Sequence, residues 1–339
     1  MIFLPKQRFF ISKLGGIGDV ILVTPVLQKI KDNIPDAEIV ISVYGNAREV
    51  LEGLPYIDEV IVYEKSTKDL IRVVKRVWGF EYAIFFDLAY RPALMSWLAG
   101  IKKRVGITHK RKWLLTNPLE EDSVGFNKYE PYNMANILKL GAGINVTDDD
   151  LTHLNIAERS VADKEYIDHL MNQAGLTNGN FITIAPFTAF APKDWPEENY
   201  IRLIQLLKTE YRLPIVLVGV PKNLDRAKPI EEAGGVINFV GKTSFLQMAE
   251  LIHRSSIIIG SCSGHMHAAA AVGTPAVVLY GPGDPERWAP KHKCKVIYLN
   301  YSCSPCDTDG RTQTCGERPC LNNIAPELVV DATKEFLIR

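Results

Sequence analysis

Three groups of residues have the types and spacing to do chemistry. Near the start, Lys13-Leu14-Gly15-Gly16-Ile17-Gly18-Asp19 sets a carboxylate behind a glycine loop. Glycines there let a ligand approach the backbone, and Asp19, presented at a helix start, suits a general base; the same placement suits a helix cap. Further on, Gly260-Ser261-Cys262-Ser263-Gly264-His265-Met266-His267 joins an apolar run to an alanine run. A strand, a small-residue loop and a helix N-terminus collect unpaired N–H groups and the positive end of a helix dipole, which suits a diphosphate or simply makes a β-α turn. Lys193 follows Pro192 just before another helix start, where its charge can be aimed at a phosphate. The third group is Cys303, Cys306, Cys315 and Cys320, four thiols at short spacings among Pro305, Gly310, Gly316 and Pro319. Such a set can close a tetrahedral zinc or iron site, or remain free thiols. His265 and His267, two apart with no carboxylate in a ligand pattern, do not read as a zinc site.

Regular alternation positions these residues. Strand-like runs at Arg8 to Ser12, Glu38 to Tyr44, Glu59 to Tyr63, Tyr82 to Asp87 and Arg104 to Ile107 are separated by helical patterns, the first from Val20 to Ile30. The glycine loop is not a dinucleotide fingerprint: Ile21 stands where its third glycine belongs, and no acidic residue ends the next strand. Residues 108–127 break the rhythm, and Lys110-Arg111-Lys112-Trp113 within them reads as a solvated basic loop or as contact with an acidic acceptor. A helix from Tyr129 to Gly141, a strand from Leu151 to Ile156 and a helix from Ala157 to Gly175 follow. After Thr177-Asn178-Gly179-Asn180 the alternation restarts, with strands at 181–185, 214–219, 236–240, 257–259, 276–280 and 295–299. The pattern predicts an α/β protein of two Rossmann-like doubly wound domains, residues 1–177 and 178–325, facing a central cleft.

Composition narrows the classes. The 39 Lys and Arg balance 39 Asp and Glu, so no global basic field calls for nucleic acid. No apolar run reaches the ~18 residues of a membrane span, and the start is broken by Pro5 and Lys6 too soon for a signal peptide, which points to the cytoplasm. There the six cysteines read as thiols or metal ligands rather than a disulfide framework.

Taken together, Lys13 to Val20 with Thr24-Pro25, Pro192-Lys193-Asp194-Trp195-Pro196, and Ser263-Gly264-His265-Met266-His267 with Gly281-Pro282-Gly283-Asp284-Pro285 resemble the family 9 glycosyltransferases, which include lipopolysaccharide heptosyltransferases. The resemblance implies a GT-B architecture, with the final helix, about Pro326 to Leu337 in residues 326–339, packing back on the first domain. It implies inverting, metal-independent transfer of a sugar from a nucleotide-diphosphate donor, ADP-heptose first among candidates, to a lipopolysaccharide-core or other glycan or glycolipid acceptor. Peripheral contact with the inner membrane face goes with such an acceptor. Carried over by position, Asp19 is the general base and Lys193 contacts the donor's diphosphate. Ser263, Gly264 and His267 surround that diphosphate, Thr188 faces phosphate, and Gly16 and Gly18 line the loop beside Asp19. No catalytic cofactor is implied; structural zinc or iron on the four cysteines resembles that of relatives that glycosylate autotransporters. Cys262 departs from the family, many of whose members have an aspartate there close to the donor sugar, and this weakens heptose as donor. A nucleotide-sugar 2-epimerase on the same scaffold, needing several acid/base residues, and a non-catalytic metal-bearing interaction module are the competing readings.

Overall fold

The structure, a computed structural model, describes residues 7–125, 129–146, 151–306 and 315–337. It divides into two compact units, Met1–Glu158 and Arg159–Arg339. The division lies ahead of the helix that the sequence assigned to the first domain, and the expected boundary at residue 178 falls inside the second unit.

The first unit runs β1 (Arg8–Ser12), α1 (Ile17–Asn33), β2 (Glu38–Val43), α2 (Arg48–Leu51), β3 (Glu59–Val62), α3 (Thr67–Arg76), β4 (Tyr82–Phe85), α4 (Tyr90–Leu98), β5 (Lys103–Ile107), β6 (Asn117–Leu119), α5 (Glu121–Val124) and α6 (Glu130–Ala142). Its six strands are parallel, in the order β3-β2-β1-β4-β5-β6. Phe9, Phe10 and Ile11 of β1 and Ile39, Val40 and Ile41 of β2 are all buried, as a parallel sheet covered on both faces requires. Right-handed connections put α1 and α2 on one face and α3 and α4 on the other. Helix α1 starts three residues earlier than the pattern indicated and contains Pro25. Proline removes the donor that would bond the Ile21 carbonyl, and the Thr24 hydroxyl donates to that oxygen instead at 2.7 Å.

Two expectations fail here. Leu151 to Ile156 is not a strand: its alternating burial comes from docking on α1 and α2, where Asn155 N donates to Thr24 Oγ1 (2.9 Å) and Ala157 N to Val50 O (2.7 Å). Conversely, β6 lies in the stretch expected to break the alternation, on the sheet edge where Pro118 is tolerated.

The second unit runs α7 (Val161–Gln173), β7 (Ile182–Ala185), α8 (Glu197–Tyr211), β8 (Ile215–Leu217), α9 (Leu224–Gly234), β9 (Ile237–Asn238), α10 (Phe245–His253), β10 (Ile257–Ser261), α11 (Gly264–Val272), β11 (Ala276–Tyr280), α12 (Pro285–Trp288), β12 (Cys294–Tyr298), α13 (Pro319–Asn322) and α14 (Pro326–Thr333). Its parallel sheet has the order β12-β11-β10-β7-β8-β9. Helix α7 belongs to this unit because Arg159 Nε reaches Glu250 of α10 at 3.1 Å and Asp168 pairs with Arg254. The final helix packs within the second unit. Val329 and Val330 of α14 are buried in the second unit's own core, and Tyr211 of α8 meets Thr333 at 2.9 Å, so its apolar face is already satisfied there.

Candidate active site

Both sheets reverse direction next to a chemical loop. In the first, strand order runs outward in opposite senses from β1 and β4; in the second, from β7 and β10. Ligands of open parallel sheets bind at such switch points, outside the carboxyl ends of the strands.

The first switch point holds Lys13 to Asp19 after β1 and Asp87 to Ala89 after β4. Asp19 is the third residue of α1, and its Oδ2 accepts from Gly16 N at 2.8 Å. The sequence reading of a carboxylate at the helix start therefore holds, and the cap it forms does not consume the group. Its other oxygen, Oδ1, lies 3.7 Å from Lys13 Nζ, and the side chain keeps 31% of its surface exposed. Gly15 is required by this packing, since a Cβ there would stand 2.7 Å from the Asp19 Cβ. Gly16 is the N-cap of α1 and lies against the Asp19 carboxylate, and Gly18 is the second residue of that helix.

Three groups here were not found from the sequence. Lys13, with its side chain only 5% exposed, donates to Phe86 O at 3.2 Å and lies 3.4 Å from Glu130 Oε1 on α6. Asp87 receives Leu14 N (2.9 Å), Ala89 N (2.8 Å) and the Ser12 hydroxyl, tying the β1 and β4 loops together. Arg111 is fully buried, donating to Ile107 O (3.0 Å), Ala89 O (2.7 Å) and Asp87 O (2.5 Å), with Asp87 Oδ1 3.7 Å away. Burial holds its guanidinium pKa below the ordinary value, against the opposing pull of Asp87. It is thus a fastener of the site rather than part of a solvated basic loop. Nothing local marked them: Arg111 sits within a basic run, and Glu130, the partner of Lys13, lies 117 residues away.

The second switch point gathers the loops after β7, β10 and β11. Strands β7 and β10 run so close that a Cβ at Gly260 would lie 2.4 Å from Ala185 O. Ser263 is the N-cap of α11, in extended backbone, with Gly264 first in the helix. The Ser263 hydroxyl makes no capping bond and lies 3.1 Å from His265 Nδ1. Desolvation pushes the His265 pKa down to about 4 although part of the ring reaches solvent, so this imidazole is neutral at pH 7. The nine-residue α11 leaves its first N–H groups aimed out of the strand ends, and these, not an imidazolium, are the cationic element. His267 is buried, one turn into the helix.

Lys193 ends a 3-10 turn, Ala191–Lys193, clasped by Arg318, whose Nη1 donates to Ala191 O (3.2 Å), Pro192 O (3.2 Å) and Asp194 O (3.1 Å). The lysine reaches toward the β11 loop: a Cβ on Gly283 would stand 3.8 Å from its Nζ. Asp194 bridges the turn, taking Thr188 N at 2.7 Å on one oxygen and Arg226 Nη1 at 2.8 Å on the other. The Thr188 hydroxyl donates to Phe190 O (2.7 Å) and accepts from Phe190 N (3.2 Å). It closes its own loop.

The four-cysteine expectation is not met. Cys303 is exposed, Cys306 and Cys315 are half-buried, Cys320 is buried, and none of the four is in a disulfide. Among the described residues no group of three or more His, Cys, Asp or Glu side chains could hold a metal ion. Residues 307–314, between the second and third cysteine, lie outside the described residues. What the segment does is brace the β11 loop: Cys306 N donates to Pro282 O at 3.0 Å and Ser304 Oγ to Gly281 O at 2.5 Å. Burial raises the Cys320 thiol pKa, and the neighbouring Cys303, Cys306 and Cys315 raise it further, so the fold does bring the four thiols near one another.

Two doubly wound sheets, one switch point carrying a carboxylate and the other a helix N-terminus with a lysine, define the scaffold of a GT-B glycosyltransferase. A profile for glycosyltransferase family 9 (heptosyltransferase) matches residues 70–315, and the chain belongs to that family. It is 26% identical over 302 residues to lipopolysaccharide heptosyltransferase 2 of Escherichia coli K12, covering 84% of this chain and 85% of that one. Among solved structures, a family 9 glycosyltransferase from Veillonella parvula superposes with a TM-score of 0.81 at 22% identity, covering 97% of both chains. The E. coli ADP-heptose lipopolysaccharide heptosyltransferase II superposes with a TM-score of 0.74 at 24% identity, covering 97% of this chain and 98% of that one. The protein is therefore a glycosyltransferase, which sets aside the epimerase and the interaction module.

Proposed function

We propose that the protein is an inverting, metal-independent heptosyltransferase that moves heptose from ADP-heptose to a lipopolysaccharide-core or related bacterial surface glycan acceptor. The observation that carries this reading is the division of labour between the switch points. One presents a partly exposed carboxylate, Asp19; the other presents the N-terminus of α11 and, beside Gly283 of the β11 loop, Lys193. Transfer needs a base for the acceptor hydroxyl and positive charge for the leaving diphosphate. Asp19 takes the hydroxyl proton as the oxygen attacks the anomeric carbon from the face opposite the diphosphate. The carbon–oxygen bond to the nucleotide breaks, and the charge that develops on the diphosphate is met by Lys193 and the N–H groups of Ser263, Gly264 and His265. Those fixed positive elements take the part that a divalent cation has in other transferases, which supports independence from metal. ADP-heptose is favoured because the E. coli ADP-heptose lipopolysaccharide heptosyltransferase II superposes on almost the whole chain. Cys262, at the position of the usual acid, leaves the sugar contact to other groups. The thiol state of all six cysteines fits a cytoplasmic site of action.

The test is transfer from ADP-heptose to heptose-deficient core acceptor, followed by mass spectrometry and NMR of the new linkage, with and without EDTA. Product of inverted anomeric configuration at an unchanged rate in EDTA is expected. Retained configuration, EDTA inhibition, or transfer only from another nucleotide sugar would overturn the respective part of the reading.

A further inference from the structure

Lys193 is held in place by a residue that takes no step in the transfer itself. The turn that carries it, Ala191–Lys193, lies between β7 and α8, and none of its three residues is buried. A short turn without an apolar anchor does little by itself to fix the direction of a long side chain. The fixing group comes from Arg318, 126 residues beyond Pro192. One nitrogen of its guanidinium, Nη1, donates to Ala191 O (3.2 Å), Pro192 O (3.2 Å) and Asp194 O (3.1 Å), so the carbonyls on either side of Lys193 converge on a single positive charge. Hydrogen bonds from a charged donor are stronger than neutral ones.

Arg318 has a φ of 49°, in the left-handed region where a residue with a Cβ is strained. Capping α13 does not call for an arginine there: the side chain makes no capping bond, and glycine would take up the same backbone freely. The strained position therefore points to a task for the guanidinium. The platform beneath it is firm. Leu321 N and Asn322 N donate to Arg318 O at 3.0 and 2.9 Å, Cys320 and Leu321 are buried, and Trp195 Nε1 donates to Ile324 O at 3.2 Å. The same helix abuts the other half of the donor grip: a Cβ on Gly281 would stand 2.6 Å from the Leu321 Cβ, so α13 lies directly against the β11 loop. That loop carries Gly283, where a Cβ would stand 3.8 Å from Lys193 Nζ. One short helix thus fixes both loops, the lysine turn through Arg318 and the β11 loop through Leu321.

We infer that Arg318, given Lys193 as the diphosphate contact proposed above, is the positioning residue for that lysine. It does not touch the donor; it holds the turn so that the ammonium is aimed before the nucleotide arrives, and donor affinity depends on it through Lys193. Ordering a lysine stem on binding is costly, and a turn fixed in the free protein removes part of that cost. Displacement of a contact by about 1 Å can lower a rate by roughly a hundredfold, so turnover depends on the same clasp.

Calorimetry with ADP on the full chain, in a cycle of Lys193→Ala, Arg318→Met and the two together, tests this. Lys193→Ala should weaken ADP binding by about ten- to a hundredfold, the range for losing a hydrogen bond to a charged group. Arg318→Met should weaken it to a lesser extent. The double variant should bind no more weakly than Lys193→Ala, because an arginine that acts only through the lysine has nothing to act on once the lysine is gone. Arg318→Gly separates side chain from backbone: with the strain at positive φ relieved it should melt higher than Arg318→Met, yet bind ADP no better. Additive losses in the cycle would overturn the inference by making Arg318 a direct phosphate contact or a source of general stability. Recovery of ADP affinity in Arg318→Gly would overturn it too, by placing the contribution in the backbone. Weak binding by Lys193→Ala beside wild-type binding by Arg318→Met would remove this inference alone; wild-type binding by Lys193→Ala would remove the diphosphate reading of Lys193 and this inference with it.

Discussion

Lys13→Met removes one charge from a place with little access to water. The lysine side chain is 5% exposed and that of Glu130 8%, with 3.4 Å between Nζ and Oε1; Asp19, 3.7 Å away on the other side, is 31% exposed. Methionine fills most of the stem's volume, so the effect is electrostatic. Glu130 keeps the hydrogen bond from Asn133 Nδ2 at 3.1 Å but loses the Lys13 ammonium. Breaking a buried pair from one side costs about 3–5 kcal/mol, and partial hydration through the Asp19 side places this case near 3. In a unit of this size that corresponds to a fall of roughly 6–12 °C in Tm. Glu130→Gln alone should cost less, and Lys13→Met/Glu130→Gln should recover about 2 kcal/mol relative to the lysine variant, because no uncompensated carboxylate remains. Thermal and urea unfolding of the four proteins gives the coupling energy. Turnover separates the two neighbours: the double variant regains stability but not kcat, since Asp19 still lacks the ammonium that positions it. A coupling under about 0.5 kcal/mol, or a kcat that returns with stability, would refute the assignment of Lys13 as a positioning residue.

Three further outcomes follow from the geometry. Gly15→Ala should lower kcat at least tenfold with little change in donor KM, because the new Cβ displaces Asp19; kinetics on the folded variant read this. Lys193→Ala should raise donor KM and lower kcat together, because its charge acts on the diphosphate in the ground state and more strongly in the transition state; calorimetry with ADP checks the first half. His265, with a folded pKa near 4 against an ordinary 6.5, should show no NMR titration step near 6.5. Since the unfolded ring takes up a proton that the folded ring refuses, its contribution to stability is complete above about pH 6.5 and declines as pH falls toward 4.

The sheets were legible because parallel strands buried on both faces read as continuous β-branched runs: 257–259 and 276–280 were placed within two residues of their observed limits. Leu151 to Ile156, with Leu151, Leu154 and Ile156 apolar and buried, docks instead through bonds from Asn155 N to Thr24 and from Ala157 N to Val50, and no local pattern distinguishes docking from strand pairing. Asn117-Pro118-Leu119 fails in the other direction, being an edge strand whose proline hides it. At the site, Asp19 and the Ser263 loop announced themselves through adjacent glycines. Lys13, Asp87, Glu130 and Arg111 did not, because their meaning lies in partners brought together only by the sheet order. Lys110-Arg111-Lys112-Trp113 shows the limit most plainly: one basic cluster in sequence separates into a buried fastener and an exposed aromatic ledge.

Asp19 carries the account's central claim, and single-turnover transfer by Asp19→Ala measures it. A general base contributes ~10² to 10⁴ in rate, so the chemical step should slow by that order while ADP-heptose affinity changes little. Transfer at the wild-type rate by a variant that merely melts several degrees lower would show that Asp19 only caps α1 through Gly16, and would contradict the claim.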